Sequence, residues 1–369
     1  MRKRFCILFV GLAICGALIA QEEKIDWRRA QELHRKSQQG EKLSIEDQAY
    51  LDKAKEARKK EGHKSERKGT AATMNSPTHF TPLTELGDGN YHGESGGLYG
   101  GGRNDPPKEI QIAAEKQTAR IRPLDKEGKP SESGKVVLLS LGMSNTTGEF
   151  SRFQEVARKE PQLSPKLVIV DGAQGGKDAR ITSEESAPFW GVIDQRLQKA
   201  GVSPKQVQVV WLKQAIARPT AGFPKEMERL EIYLEKIVAI AKKRYPNLRI
   251  VYLSSRSYAG YATTALNPEP YAYESAFAVR HLIFAQSSGK PDLNFEAVRA
   301  PVNEPLLLWG PYLWADGETP RKIDGLFYKR EDYRDDGTHP SDSGRQKITD
   351  QLLKFFKTDS NAKKWFLKP

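Results

Sequence analysis

Four short apolar runs, spaced along the middle of the chain, constrain its fold more than any other feature. They are Val136-Val137-Leu138-Leu139-Ser140-Leu141, Leu167-Val168-Ile169-Val170, Val207-Gln208-Val209-Val210-Trp211-Leu212 and Arg249-Ile250-Val251-Tyr252-Leu253-Ser254. Each reads as a buried strand. Helical stretches separate them. One lies around Phe189 to Ala200. Another runs from Lys225 to Tyr245, where Met227, Leu230, Tyr233, Leu234, Ile237 and Ile240 mark a single apolar stripe. Apolar strands recurring roughly every 30–40 residues with helices between them predict an α/β fold, a three-layer parallel sheet with helices on both faces. Such sheets bind ligands beyond the carboxyl ends of their strands. The chemistry is therefore expected just after each apolar run.

After the first run comes Gly142-Met143-Ser144-Asn145-Thr146. A serine at a strand-to-helix turn can project its hydroxyl and turn its own N–H toward an oxyanion. Equally, it can cap the following helix. After the second run, Asp171-Gly172-Ala173-Gln174-Gly175-Gly176 offers glycines whose N–H groups could face a substrate oxygen, or simply an ordinary tight turn. After the third, Lys213-Gln214-Ala215 offers a side-chain amide for a developing oxyanion, or a surface polar pair.

Near the C-terminus, Tyr333-Arg334-Asp335-Asp336-Gly337-Thr338-His339-Pro340-Ser341 precedes a helix through Ile348, Leu352, Leu353 and Phe356. An aspartate three residues before a histidine can orient the imidazole, which can then take a serine proton as general base. Two other readings compete. Asp332, Asp335 and Asp336 could form a calcium loop, although no glutamate sits at the closing position of an EF-hand. His339 could also merely cap the last helix. His34, His63, His79, His92 and His281 are weaker candidates, and no pair has the spacing of a helical zinc site. No metal and no cofactor is expected.

Together these four features resemble the block order of SGNH/GDSL hydrolases: a serine after strand one, a glycine after strand two, a polar amide after strand three and Asp-x-x-His before the last helix. The resemblance spans roughly residues 134–356. It implies a flavodoxin-like sheet, Ser144 as nucleophile, His339 as base, Asp336 as its partner with Asp335 a decoy, and Gly175 as the second-block glycine. Two departures stand out. The first block reads Gly-Met-Ser-Asn, not Gly-Asp-Ser, and the third lacks Gly-x-Asn-Asp. Gln214 is then the nearest amide and Lys213 the nearest alternative donor. Losing one oxyanion donor costs about 10²–10³ in turnover. The implied activity is an esterase acting on an acylated small molecule or glycan, with a non-catalytic glycan-binding module of the same fold as the alternative. Tyr258, Tyr261, Tyr271, Tyr273, Trp309, Tyr312 and Trp314 are candidates for stacking on sugar rings, with core or rim packing the other reading of each. Glu274 and Arg280 are expected to form a structural ion pair near the site.

Upstream, Arg2-Lys3-Arg4 precedes an uncharged apolar run from Phe5 through Ala20, and polar Gln21-Glu22-Glu23-Lys24 follows. This is the layout of a cleavable secretory signal over residues 1–20, too short for a membrane span, and it predicts a secreted or periplasmic protein. A lipoprotein signal ending at Cys15 competes, disfavoured by the bulky Ile14 before it. Both cysteines, Cys6 and Cys15, fall inside this segment, so the expected mature chain has neither a thiol nor a disulfide. Residues 21–70 read as a basic helical appendage: one helix from Asp26 to Ser37, a break at Gln39-Gly40, and a second helix capped by Ser44 and running through Arg58. Residues 71–130 read as a Gly/Pro-rich ordered loop without helical or strand period, packed near the active site, and residues 131–369 as the hydrolase domain. The net charge of +12 is concentrated at Arg2–Arg4 and between Lys53 and Lys68, where Glu56, Glu61 and Glu66 interleave. That pattern fits an export signal and a solvated helical face, or contact with an anionic wall or membrane surface. It does not suggest nucleic acid.

Overall fold

The computed structural model describes residues 25–26, 29–30, 33, 43–65, 79–296 and 301–368. The expected signal segment and most of the first expected helix lie outside them. The chain divides into two compact units, residues 1–75 and 76–369.

In the first unit, helix α1 spans Ile45–Ser65. Ser44 caps it, its Oγ accepting the Asp47 N–H at 3.1 Å. Arg29 pairs with Asp47 at 3.0 Å, and Ala30, Leu33, Leu51 and Ala54 are buried.

The second unit is built on the predicted parallel sheet. A two-residue ribbon, β1 (Asn90–Tyr91) and β2 (Glu94–Ser95), and helix α2 (Lys108–Thr118) come first. Then follow β3 (Val136–Gly142), α3 (Ser144–Ala157), β4 (Leu167–Asp171), a single turn α4 (Ala179–Thr182) and α5 (Pro188–Lys199). The chain continues through β5 (Val207–Lys213), α6 (Lys225–Arg244), β6 (Ile250–Leu253), α7 (Tyr271–Ser287), β7 (Leu306–Trp309), α8 (Asp342–Thr358) and the short α9 (Lys363–Phe366). The strands lie in the order β4-β3-β5-β6-β7, all parallel. β3, β5, β6 and β7 are buried throughout, as strands covered on both faces must be.

Helices α3 and α8 pack together on one face, and α6 and α7 on the other. Phe150 of α3 stacks on Trp211 of β5 at 5.5 Å, and Phe153 meets Phe356 of α8 at 5.5 Å. Met227, Leu230, Leu234, Ile237 and Ile240 of the α6 stripe are buried. The strand order reverses direction between β3 and β5. That switch point is where a sheet of this winding leaves a crevice at its carboxyl edge.

Two elements depart from the sequence reading. The segment read as loop contains α2, which buries Ile110, Ala113 and Ala114 and packs over β6 and β7. Those three positions do carry helical spacing, but the helix is only 11 residues long and the rest of it is mostly charged or polar. β7 is a fifth strand, a bare Leu306-Leu307-Leu308-Trp309 between Pro305 and Gly310. The Gly-rich loop itself binds α7 and β7: Arg280 donates to the carbonyls of Ser95 and Gly97, and the Trp309 indole donates to Leu98 O at 2.8 Å.

Candidate active site

Ser144 is the first residue of α3, and Met143 occupies the cap position in extended conformation. The serine is therefore not spent on capping. Its N–H lies in the first turn of a fourteen-residue helix, where backbone donors lack intrahelical partners and the helix end is partially positive. Its Oγ lies 2.7 Å from His339 Nε2. On the other side of the ring, His339 Nδ1 lies 2.5 Å from Asp336 Oδ2. The serine, the imidazole and the carboxylate all remain partly open to solvent. Hydroxyl, imidazole and carboxylate stand in the sequence that moves a proton off the serine while the ring is held in one orientation.

The His339 loop is built to hold that geometry. Asp336 Oδ1 accepts the N–H groups of Thr338 and His339, both at 2.9 Å. Burial pushes the Asp336 carboxyl up, but the bonds from the His339 ring and these two N–H groups outweigh it and hold the group below the ordinary aspartate value. Gly337 has φ +61°, and a Cβ there would run into the Tyr261 carbonyl, so only glycine lets the loop lie this close to its neighbour. The Thr263 N–H donates to Asp336 O at 3.0 Å from the same segment. Ser341 caps α8 directly behind the loop.

Gly175 lies beside Ser144: a Cβ built on it would stand 3.9 Å from Ser144 Cβ. Its N–H and that of Ser144 donate to no protein group among the described residues. The two form a pair of free donors beside the Ser144 hydroxyl, the arrangement an oxyanion hole requires. Asp171 at the end of β4 secures this loop to α3. It accepts the hydroxyls of Ser140 at 2.6 Å, Ser151 at 3.1 Å and Thr147, and the Ala173 N–H at 3.1 Å.

Gln214 is not brought to the site as a donor. Its Nε2 donates to Lys177 O and to Thr182 Oγ1, each at 2.9 Å, and its Oε1 accepts the Ala215 N–H. An amide has two hydrogens, and both are used. Lys213 is likewise buried, its Nζ 2.6 Å from both oxygens of Glu149. Most of the aromatic candidates follow their packing reading. Tyr258, Tyr273, Trp309, Tyr312 and Trp314 are buried, and only Tyr261 and Tyr271 are half-exposed. Their polar ends explain it: Tyr312 Oη accepts Leu83 N, Tyr273 Oη donates to Thr81 O and Trp314 Nε1 donates to Glu269. Glu274 and Arg280 do not pair. Glu274 accepts from Tyr91 Oη at 2.7 Å, and Arg280 binds Glu94. Asp332, read as a calcium candidate, takes Lys347 Nζ at 2.6 Å and Ser343 Oγ at 2.8 Å.

Several solved structures are similar to the chain, three of them as follows. A protein of Bacteroides fragilis assigned as an acylhydrolase matches with 16% identity over 68% of this chain and 96% of its own, at a TM-score of 0.36. A GDSL-like lipase from Bacteroides thetaiotaomicron matches with 12% identity over 66% and 95%, at 0.35. The periplasmic domain of a lipopolysaccharide acetyltransferase from Salmonella ser. Paratyphi A matches with 11% identity over 67% and 96%, at 0.33. No family model and no curated protein matches.

Sequence reasoning missed Asn145 and Asp171. Asn145 Nδ2 donates to Thr338 O at 2.8 Å and ties the start of α3 to the histidine loop. An amide directly after the serine was the only hint, and neither its burial nor its partner is written in the neighbouring residues. For Asp171 the signal was its place at the carboxyl end of a strand, beside the glycines.

Proposed function

We propose that this chain is a secreted esterase of the SGNH/GDSL type that works through Ser144, His339 and Asp336. The observation that supports it is the continuous chain of contacts from Ser144 Oγ through His339 to Asp336, at 2.7 and 2.5 Å. His339 Nε2 takes the hydroxyl proton as Ser144 Oγ attacks the acyl carbonyl. Asp336 holds the ring orientation and stabilises the imidazolium. The N–H groups of Ser144 and Gly175 receive the oxyanion. The imidazolium returns the proton to the leaving alcohol, and water attacks the acyl-serine in the same way in reverse.

The substrate we favour is an acylated glycan. Tyr261, half-exposed and with its backbone carbonyl against Gly337 of the histidine turn, is the aromatic residue we propose to meet a sugar. Hydrolysis of a short-chain nitrophenyl ester tests the esterase. Wild type should turn it over, and Ser144→Ala and His339→Ala should fall by about 10³-fold or more, leaving only oxyanion-hole catalysis. Equal rates in all three would sink the claim.

The spent Gln214 amide favours one other reading, a non-catalytic glycan-binding module of the same fold. A stoichiometric fluorophosphonate adduct at Ser144 supports the enzyme, and no adduct supports the binder. The basic stretch between Lys53 and Lys68 is proposed to contact an anionic wall or membrane surface. Retention on anionic polymer should then weaken with salt and vanish when residues 1–68 are deleted.

A further inference from the structure

We infer that the buried Lys213–Glu149 ion pair is a positioning device for the nucleophile: it grips the first turns of α3 against the end of β5 and so aims the Ser144 hydroxyl at His339. The inference rests on the serine-hydrolase reading and extends it to two residues that touch no substrate.

Lys213 is the last residue of β5, and Glu149 lies on α3 five positions after Ser144. Their side chains are 1% and 0% exposed, and Nζ is 2.6 Å from each carboxylate oxygen. The same lysine holds the helix a second time through its backbone, its carbonyl accepting Thr146 Oγ1 at 2.7 Å. Gly142, directly across the ladder from Lys213, has no room for a Cβ against Lys213 O and Thr146. Backbone and side chain of one residue thus grip α3 two and five residues after the nucleophile.

Stability does not explain such a pair. Replacing a buried ion pair by apolar groups of similar volume is commonly neutral or stabilising. What the pair adds is direction, because an ammonium seated on two oxygens fixes where the helix sits over the strand.

Its surroundings make the grip pH-dependent. Burial pulls Lys213 down to about 8; Glu149 opposes this, and Arg256, the buried cation just beyond β6, adds to it. Arg256, Tyr328 and Tyr333 also face Glu149. Between about 8 and the ordinary lysine value of 10.5 the folded protein binds fewer protons than the unfolded chain. The lysine's contribution to stability therefore rises with pH across that window. The charged grip is lost over the same window. Turnover should fall above pH 8 without a fall in Tm that this lysine causes.

The test is the paired replacement Lys213→Met/Glu149→Leu. It should fold with Tm at or above that of wild type. Its kcat on the nitrophenyl ester should drop about a hundredfold, the scale of an ångström's misplacement, with KM held and the alkaline limb gone. A kcat within about twofold of wild type with the same limb overturns the inference. If the pair variant does not fold, the wild-type profile decides: a limb in kcat near the lysine's titration supports the inference, and a flat kcat across it overturns it. If wild type neither hydrolyses ester nor reacts with fluorophosphonate, the esterase reading fails separately. The positioning claim is then read from wild-type crystals grown at about pH 6 and about pH 10, on either side of that titration. Ser144 Oγ leaving hydrogen-bond reach of His339 at the higher pH supports it, and an unchanged contact overturns it.

Discussion

Both hydrogens of the Gln214 amide bond to Lys177 and Thr182, which removes the side-chain donor that its place after the third strand suggested. A donor to the oxyanion and a brace of the α4 turn have different signatures on removal. Gln214→Met leaves a buried carbonyl unpartnered and should cost about 1–3 kcal/mol of stability. Its kcat/KM should stay within about threefold, whereas a lost oxyanion donor costs about 10²–10³. Denaturant melts and ester kinetics on the same variant separate the two. A hundredfold kinetic loss with unchanged stability would return the amide to the oxyanion hole. Ser144, Asp336 and His339 were legible as candidates because each proposed role follows from a few neighbouring residues: a serine ending a strand, and an aspartate three before a histidine. Asn145 was not, because its partner Thr338 lies 193 residues away.

At the level of elements, the site depends on how closely two loops approach. The Asp336–His339 turn reaches Ser144 only because Gly337 adopts φ +61° and lies against the Tyr261 carbonyl. Gly337→Ala adds both a strained left-handed residue and a clash, so the turn must shift. We expect a destabilisation of about 1–3 kcal/mol, the cost of a strained backbone conformation, with kcat falling further than KM rises. Steady-state kinetics beside thermal melts check this. Wild-type kcat in the variant would mean the turn has slack. Long runs with clear period, such as α6 and the four strands, were readable from residues alone. α2 and β7 were not. One is a single buried face in a charged stretch, and the other is four residues that match a helix turn as well as a strand. The aromatic rings on the later loops left stacking and packing both open for a related reason. A tyrosine is amphipathic, and whether its ring packs or faces water depends on what its hydroxyl can reach.

At the scale of the whole molecule, a few shifted carboxyls among the described residues shape the pH response. Burial drives Glu304 up to about 9 from its ordinary 4.5, with Glu235 adding to the shift. Between those values the folded protein binds the extra proton, so stability should fall as pH rises. Asp336, Asp332 and Asp324 act in the opposite sense. Burial opposes them, but hydrogen bonds hold each below 3.8, so their contribution is present above that value and is lost as pH falls through the lowered one. Tm should therefore peak in mildly acid solution, and Glu304→Gln should flatten the decline toward pH 9. Calorimetry across pH checks this. A decline of the same slope in the variant would assign it to other groups.

The residues themselves determined the α/β architecture, the end of the sheet at which the candidate site lies, and the serine, histidine and aspartate that meet there. Strand periodicity and turn chemistry are local properties, and they survive being read without coordinates. Only the folded chain decided which polar groups at those strand ends stay free. Donors and acceptors have fixed valence, and whether Gln214, Lys213 or the Gly175 N–H is spent depends on partners distant in sequence that packing alone brings within reach.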